Sequence, residues 1–291
     1  MAYQQLFPII EKHHQLDGIL RRIRLFPGHC QLCSKWTLFY IRSQNLREDV
    51  FCIRCKSSNR QRQLTQAFIR EARQRDHRVW LDNLHGLKRT KKQIKVWNTE
   101  SRGSLQKGFK ETFNKNLICS EFIANNLKSG EVFKDVLHVD LCSTHFKDEE
   151  FDFILSSDVL EHIPNLNSAL QETYRVLKKG GSHIFTIPFF THRSSMQIRA
   201  FEDNDGNINH LLKPWFHIDP LREEGTLCFR VFTIEILVIL EKIGFDVKLI
   251  NIHSVLNGNI GSNGYVFIAT KKDVPVINKD PIENFIERKN E

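Results

Sequence analysis

Residues 151–190 read FDFILSSDVLEHIPNLNSALQETYRVLKKGGSHIFTIPFF, and this stretch decides the fold. An apolar run of strand length leads into an acidic turn, which is followed by an amphipathic segment of helical period. A double glycine and a second apolar run complete the stretch. The order of strand, helix and strand predicts two parallel strands joined by a crossover helix.

Short apolar runs and longer helical segments alternate from about residue 95 onward. The first five runs are IKVWN, NLICSEF, DVLHVDL, FDFILSS and SHIFTIP. Two later runs, FDVKLINI and GYVFIAT, are separated only by HSVLNGNIGSN, which leaves no room for a crossover helix, so we expect an antiparallel hairpin. The predicted fold is therefore α/β: a Rossmann-like, seven-stranded, mostly parallel sheet with an antiparallel last hairpin.

Polar residues stand where four of the predicted strands end. In open α/β sheets a ligand binds beyond the carboxyl ends of the strands. Glu121 follows Asn98 by 23 residues, close to the separation of about 20 residues at which an acidic side chain can accept both ribose hydroxyls. Asp140 is placed to accept from an adenine amino group or from water. The exits are Asn98–Ser104, Ser120 with Glu121, Asp140 with Leu141, and Ser156–His162.

Four of the seven cysteines form two C-x-x-C pairs, CQLC and CIRC, with 18 residues between them. This spacing lets two short turns present four thiolates to one tetrahedral zinc ion. Four thiolates complete the coordination, so the predicted ion is structural and supports a ribbon too short to build its own core. The odd number of cysteines favours a reducing compartment. The predicted ligands are Cys30, Cys33, Cys52 and Cys55.

A helical pattern and a basic stretch follow the cysteine cluster. SSNRQRQLTQAFIREARQRD begins with Ser57 and Ser58 as candidate helix caps, and HGLKRTKKQIK reads as an exposed connection. The predicted organisation is an N-terminal helix, zinc ribbon and connecting helix over 1–79, a basic linker over 80–93, the α/β domain over 94–272 and a C-terminal tail over 273–291.

Charge is divided unevenly along the chain. Residues 1–116 hold 24 lysines and arginines against nine acidic residues, whereas residues 117–291 hold 18 against 25. A basic half can attract RNA, an anionic glycan or an acidic membrane surface, although solvated helix faces give the same composition. No apolar run reaches 18 residues and the first residues lack a signal-peptide pattern, so we expect a soluble, cytoplasmic protein without a membrane span.

The quoted stretch, together with VLHVDL at residues 136–141, resembles the class I S-adenosylmethionine-dependent methyltransferases of type 11. The resemblance covers about residues 94–272 and is strongest over Phe151–Pro188. The pattern CxxC…CxxCxSxxRxR ahead of these motifs is similar to a bacterial subgroup with an N-terminal zinc ribbon, some of whose members modify glycans. The resemblance implies S-adenosylmethionine as cofactor, a structural Zn²⁺ ion and a glycan or small-molecule acceptor.

The resemblance also implies roles for the residues after the fourth strand. Ser157 and Asp158 open the loop beneath the cofactor, and Val159 packs near the adenine or the sulfonium. His162 either caps the following helix or borders the substrate pocket, where it is a candidate catalytic residue.

The turn after the first strand departs from the family pattern. The family usually carries D-x-G-x-G-x-G there, whereas this chain has VWNTESRGS. The turn is either a variant in which Asn98, Thr99, Glu100 and Gly103 line the methionine moiety, or a degenerate site in a non-catalytic relative.

Residues 191–231 replace a short crossover with an aromatic and histidine-rich insertion, where we expect acceptor specificity to lie. His217 and Asp219 of its HID sequence are the candidate base and orienting carboxylate, because alternate residues of a strand share a face. Separate surface roles for these two residues are the alternative. No N-P-P-Y-like tetrad follows strand four, which argues against amino methylation of DNA bases and favours an oxygen acceptor. An RNA methyltransferase that uses the basic ribbon half and a catalytically silent binding module remain alternatives.

Overall fold

The computed structural model describes residues 16–75, 82–89, 93–191, 193, 195–219 and 222–272. The predicted tail, residues 273–291, lies outside these residues. The chain divides into two compact units. The first holds the described residues up to Cys119 together with Leu249–Ile268, and the second holds Ser120–Lys248 together with the described residues from Ala269.

The first unit begins with a helix over residues 16–23, α1, and a three-stranded ribbon. Its antiparallel strands are β1 (Leu25–Cys30), β2 (Lys35–Ile41) and β3 (Val50–Cys52). Phe26 of β1 packs on Phe39 of β2 with ring centroids 5.5 Å apart. Both rings are buried, so the ribbon has one small apolar face.

Helix α2 (Asn59–Arg75) starts directly after the predicted cap. The Gln61 backbone N–H donates to Ser58 Oγ at 3.4 Å, and the Ser58 N–H donates to Gln61 Oε1 at 3.2 Å. This reciprocal pair is a capping box, which satisfies two otherwise unpaired donors at the helix start. The apolar positions expected on one helix face, Leu64 and Phe68 among them, are fully buried.

The central sheet is mostly parallel, as predicted, and contains eight strands. They are β4 (Val96–Asn98), β5 (Leu117–Glu121), β6 (Val132–Phe133), β7 (Val136–His138), β8 (Phe151–Ser157), β9 (Leu177–Thr186), β16 (Phe245–Asn251) and β17 (Tyr265–Lys271). Their order is β16-β17-β9-β8-β4-β5-β7-β6. The pairs β4 with β5, β5 with β7, and β8 with β9 are parallel, whereas β6 is antiparallel to β7. The last two strands are neighbours, as the predicted hairpin requires.

Three helices belong to the strand–helix alternation. Helix α3 (Gly103–Phe113) follows β4, α4 (Leu166–Val176) lies between β8 and β9, and α5 (Glu235–Ile243) precedes β16. Helix α5 is followed by Gly244, whose φ of 117° is the left-handed conformation that favours glycine at a helix end.

The double glycine of the quoted stretch, Gly180 and Gly181, lies beyond the end of helix α4. The helix ends at Val176 and β9 begins at the next residue, so both glycines lie within that strand. A Cβ atom on Gly181 would lie 2.7 Å from the Lys178 carbonyl oxygen, which only glycine avoids. Gly180 has a φ of 69°, and the pairing of β9 with β8 shifts register in this region. The glycines therefore form a tight bend within the strand.

Six short strands lie within the predicted insertion, residues 191–231, and pair antiparallel in twos. They are β10 (Gln197–Ile198) with β15 (Arg230–Val231), β11 (Ala200–Glu202) with β12 (Ile208–His210), and β13 (Phe216–Asp219) with β14 (Arg222–Leu227). Throughout the described chain, no helix is both long enough and apolar enough to cross a membrane.

Candidate functional site

The two C-x-x-C turns bring four thiols together. The sulfur atoms of Cys30, Cys33, Cys52 and Cys55 all lie within 4.8 Å of one another, and the Cys30 and Cys55 sulfurs are 3.7 Å apart. Zinc–sulfur bonds of about 2.3 Å in a tetrahedron place the sulfurs about 3.8 Å from each other. The cluster therefore has the donor set and the spacing of a four-cysteine zinc ribbon.

The two turns have matching backbones. The residue after the second cysteine of each pair is left-handed, with φ of 56° at Ser34 and 62° at Lys56. The Ser57 hydroxyl lies 3.2 Å from Cys55 Sγ, where it can donate to a thiolate. Hydrogen bonding from the Cys30 and Cys33 thiols holds the pKa of Cys52 below its ordinary value.

A buried arginine lies beside the cysteine cluster. The Arg62 guanidinium donates to the carbonyl oxygens of Ser57 at 2.6 Å, Val50 at 3.1 Å and Gly258 at 2.6 Å. Burial lowers the pKa of Arg62, while the charge of the cysteines raises it. Four thiolates around Zn²⁺ carry a net charge of about −2, so a buried cation offsets part of the cost of burying them.

The exit of β4 carries a buried acceptor without a donor. Asn98 is fully buried, and its Nδ2 donates to the Glu100 carbonyl oxygen at 2.6 Å. The remaining amide oxygen, Oδ1, is buried and accepts no hydrogen bond from the described residues. Leaving such an acceptor unpaired costs about 1–3 kcal/mol.

The next residues shape the rest of this exit. Thr99 is 6% exposed and Gly103 begins helix α3 with a φ of 87°. The φ of Gly103 favours glycine at that position, and its missing side chain leaves room for Glu100 Oε1, which would lie 2.9 Å from a Cβ atom there.

The ribbon contacts this turn directly within the first unit. Gln61 Nε2 donates to Glu100 Oε1 at 3.2 Å, and Ser104 Oγ donates to the Cys55 carbonyl oxygen at 2.5 Å. The cysteine cluster and the exit of the first strand are therefore held together by two hydrogen bonds.

Two of the predicted acidic exits lie on neighbouring parallel strands of the second unit. Glu121 is the last residue of β5 and pairs in register with His138, the last residue of β7. Asp140 follows two residues later, and its Oδ1 accepts from the Cys142 N–H at 2.8 Å. Leu141 beside it is buried.

The exit of β8 adopts a rare backbone conformation. Asp158 has a φ of 56°, its N–H donates to the Thr186 carbonyl oxygen at 3.0 Å, and its Oδ1 accepts from Thr186 Oγ1 at 2.9 Å. Ser157 ends β8 and pairs with Thr186, while Val159 precedes a short 3-10 helix over Leu160–His162. Left-handed residues other than glycine cost energy and concentrate at functional sites.

His162 does not cap helix α4, contrary to one of its two predicted roles. The cap is Asn165, whose Oδ1 accepts from the Ser168 N–H at 3.0 Å. His162 Nδ1 instead donates to the Leu227 carbonyl oxygen at 2.8 Å, which ties the loop after β8 to the end of β14.

The predicted pair His217 and Asp219 lies on β13, but the register of that strand shifts between them. The simple alternation that would put them on one face therefore does not apply, and the Asp219 side chain lies outside the described part of the chain. The His217 ring packs edge-on against His162 with centroids 5.0 Å apart. A different carboxylate, that of Glu161, lies 3.5 Å from His217 Nδ1.

Sequence reasoning missed Glu161 and Cys228. Each is 1% exposed, and both adjoin the His162–His217 pair. Burial raises the pKa of Cys228 to about 12, with the negative charge of Glu161 as the next contribution. The available signals were the Glu–His dipeptide after strand four and a seventh cysteine outside the two C-x-x-C pairs.

Arg230 holds the loop that carries Glu161 and His162. It is 6% exposed, and its guanidinium donates to three loop carbonyl oxygens, those of Leu160, Ile163 and Pro164, at 3.1, 2.5 and 2.5 Å. Burial lowers the pKa of Arg230 to about 10, so it remains a cation at neutral pH.

Comparisons with known proteins show what this chain is similar to. An S-adenosylmethionine dependent methyltransferase from Mesorhizobium loti is 12% identical, with a TM-score of 0.39 over 62% of this chain and 91% of that protein. A SAM-dependent methyltransferase from Methanosarcina mazei is 16% identical, with a TM-score of 0.34 over 62% and 94%. An uncharacterized protein of Methanocaldococcus jannaschii is 52% identical over 42 residues, which span 14% of this chain and only 20% of that relative.

The family match comes from the amino-acid sequence. Residues 102–185 match the family described as a methyltransferase domain, a range that contains β8, α4 and almost all of β9. The resemblance predicted from the quoted stretch is confirmed over residues 102–185, which match the methyltransferase-domain family.

Proposed function

We propose that this protein transfers a methyl group from S-adenosylmethionine to an oxygen of a glycan or small-molecule acceptor. The observation that carries the proposal is the buried, unpaired Asn98 Oδ1 at the exit of β4. In the family to which the domain is similar, the methionine moiety lies at this exit. The orphaned acceptor favours a variant turn over a degenerate one, because a buried oxygen without a donor is costly unless a ligand satisfies it.

The chain's own residues would bind and orient the cofactor in three groups. Asn98, Thr99, Glu100 and Gly103 would line the methionine moiety. Glu121 would accept from the ribose hydroxyls, and Asp140 from the adenine amino group. The group at the β8 exit, Ser157, Asp158 and Val159, would close the floor of the site, with Asp158 fixed by its two hydrogen bonds to Thr186.

S-adenosylmethionine, when bound, supplies a methyl group already activated by its sulfonium. The protein then needs mainly to hold the acceptor oxygen in line with that methyl group and to exclude water. Removal of the acceptor proton is optional. His217, whose Nδ1 lies 3.5 Å from Glu161 Oε1, is the candidate base in the insertion. Ser156–Val159 reads SSDV rather than N-P-P-Y, which favours an oxygen acceptor.

The cysteine cluster would hold a structural Zn²⁺ ion. Four thiolates leave no open position for substrate, and the second C-x-x-C turn contacts the first-strand exit through Ser104. The ion's role would be to fix the ribbon and, through the ribbon, this turn.

Calorimetric titration with S-adenosylhomocysteine tests the proposal on the full chain. Glu121→Ala should weaken binding by roughly tenfold or more, since hydrogen bonds to a charged acceptor contribute about 1.5–3 kcal/mol. Glu131→Ala, an exposed acidic residue in the loop after β5, is the matched control and should bind like the parent. An unchanged affinity in Glu121→Ala would contradict the ribose assignment. If the parent protein binds no S-adenosylhomocysteine, the interpretation as a catalytically silent binding module would replace the proposed enzyme.

RNA methylation is the second candidate function, because the ribbon surface carries exposed aromatic and basic residues. Trp36 is 66% exposed and Tyr40 is 41% exposed on β2, which begins with Lys35. Such residues stack on unpaired bases while neighbouring cations bind phosphates. Binding of a single-stranded RNA oligonucleotide should then weaken steeply with added salt and fall about tenfold in Trp36→Ala. Salt-independent or undetectable RNA binding would leave the glycan or small-molecule acceptor as the proposal.

A further inference from the structure

A second group of metal-binding side chains lies in the second unit, apart from the ribbon. Ligand atoms of His162, His217 and Cys228 all lie within 4.8 Å of one another. Glu161 adds a carboxylate oxygen 3.5 Å from His217 Nδ1 and 3.8 Å from His162 Nε2. We propose that these four residues bind a second zinc ion.

The distances fit a metal better than they fit ion pairs. A histidine hydrogen-bonded to a carboxylate has its nitrogen about 2.7–2.9 Å from the oxygen, and both distances to Glu161 Oε1 are longer than any normal hydrogen bond. Zinc bonds of about 2.0–2.1 Å to nitrogen and oxygen in a tetrahedron instead separate neighbouring ligand atoms by about 3.3–3.4 Å. The observed 3.5 Å and 3.8 Å lie within a few tenths of an ångström of that spacing.

Glu161 provides the independent observation. It is 1% exposed, and neither of its carboxylate oxygens has a hydrogen-bond partner among the described residues. An ionised carboxylate buried in this way is strongly disfavoured unless a cation or several donors compensate it. The nearby Arg230 does not serve as its hydrogen-bond partner, because that guanidinium donates to the loop carbonyl oxygens.

The outer contacts orient the ligands as metal sites require. His162 Nδ1 donates to the Leu227 carbonyl oxygen at 2.8 Å and lies 3.9 Å from Cys228 Sγ, so Nε2, 3.8 Å from Glu161 Oε1, is the nitrogen left to bind a metal. The Cys228 side chain would turn toward Nε2 when the ion binds. The Glu161 carbonyl oxygen accepts from the Phe229 N–H at 2.8 Å, which aligns the residues around Cys228 with the loop after β8. The ligands therefore come from two prearranged segments.

The donor set defines the kind of site. Two neutral imidazoles, one thiolate and one carboxylate neutralise Zn²⁺, and four protein ligands fill a tetrahedron. The ion would join the loop after β8 to the β13–β14 pair of the insertion and would be structural. His217 would then be a ligand rather than a free base, a role that does not depend on the proposed methyl transfer.

Zinc content of the purified full chain tests this inference. Metal analysis should give about two zinc ions per parent chain and about one in both Cys228→Ser and His217→Asn. Cys142→Ser is the matched control, because Cys142 is a partly buried cysteine of the same unit outside both clusters, and it should retain two. Cys52→Ser should lose the ribbon ion and keep the second.

Cobalt(II) substitution gives a readout that depends on ligand type. The sulfur-to-cobalt absorption of the one-thiolate site should disappear in Cys228→Ser while that of the four-thiolate site persists. His217→Asn decides the matter if Cys228→Ser fails to fold, because His217 is partly exposed and tolerates substitution better. A single zinc ion in the parent, or two in both folded variants, would overturn the inference.

Discussion

Arg62 should be among the most sensitive positions of the first unit. It lies on α2, is fully buried, and joins three parts of the chain by donating to carbonyl oxygens of Ser57, Val50 and Gly258. Its guanidinium also lies 4.6 Å over the Phe39 ring. Arg62→Met keeps much of the volume but removes the charge and every donor.

The contacts set the expected magnitude. Each carbonyl left buried without a donor costs about 1–3 kcal/mol. Relief of the desolvated charge and of the unpaired Arg62 Nε offsets part of that sum. The net loss should be about 3–5 kcal/mol, because three carbonyl oxygens lose their donor together. Arg62→Lys should recover less than half, because a single ammonium cannot match the fork geometry.

Urea unfolding of the zinc-loaded protein, monitored by tryptophan fluorescence and by zinc release, measures this loss. Arg62→Met should lower the midpoint by roughly 1–2 M. Arg70→Met is the matched control, since Arg70 is exposed on the same helix and should change stability by no more than about 0.5 kcal/mol. Equal midpoints for the two variants would refute the claim that Arg62 holds the ribbon in place.

Two further outcomes follow from individual residues. Asp158→Asn should keep a melting temperature near that of the parent, because asparagine tolerates a φ of 56° and can accept a hydrogen bond from Thr186. In the same thermal scan, Asp158→Val should lower the melting temperature by roughly 4 °C or more. Burial lowers the pKa of His183 to about 3, so between about pH 3 and 6.5 the unfolded chain binds more protons than the folded chain. The free energy of unfolding should therefore fall by up to about 1.4 kcal/mol per pH unit as the pH drops through that window. Replacing His183 by Gln should flatten this slope in urea titrations at several pH values, and an unchanged slope would contradict the assignment.

The sheet could be predicted because its strands are buried on both faces. Six of the seven residues of β8 are buried, and four of the seven, Phe151 and Phe153–Leu155, are apolar, so the segment reads as a buried strand whatever surrounds it. The cysteine cluster could be predicted for a similar reason, since its ligands lie in two local turns of fixed spacing. Both signals are local in sequence.

Features that depend on distant contacts could not be predicted. The edge strand β6 has only two residues, both exposed, and turns back through Lys134 and Asp135, whose positive φ values lack the usual Asn-Gly signal. Arg62 reads as one more arginine of a solvated helix, although Gly258, 196 positions away, accepts one of its hydrogen bonds. Glu161 meets His217 only because the insertion folds back onto the loop after β8.

The departure at the first-strand turn has a physical counterpart in the ribbon. Glycine-rich turns let the backbone approach a cofactor because glycine has no side chain, but they must be ordered when the protein folds. In this chain the turn keeps one glycine, Gly103. Two hydrogen bonds hold the turn: Gln61 donates to the Glu100 side chain, and the Ser104 hydroxyl donates to the Cys55 carbonyl oxygen. Cysteine cluster, helix α2 and first-strand exit thus share one compact unit, so a metal that orders the ribbon also orders the turn. Because the ribbon and helix α2 hold this turn by hydrogen bonds, the turn can keep a defined geometry with fewer glycines than the family pattern has.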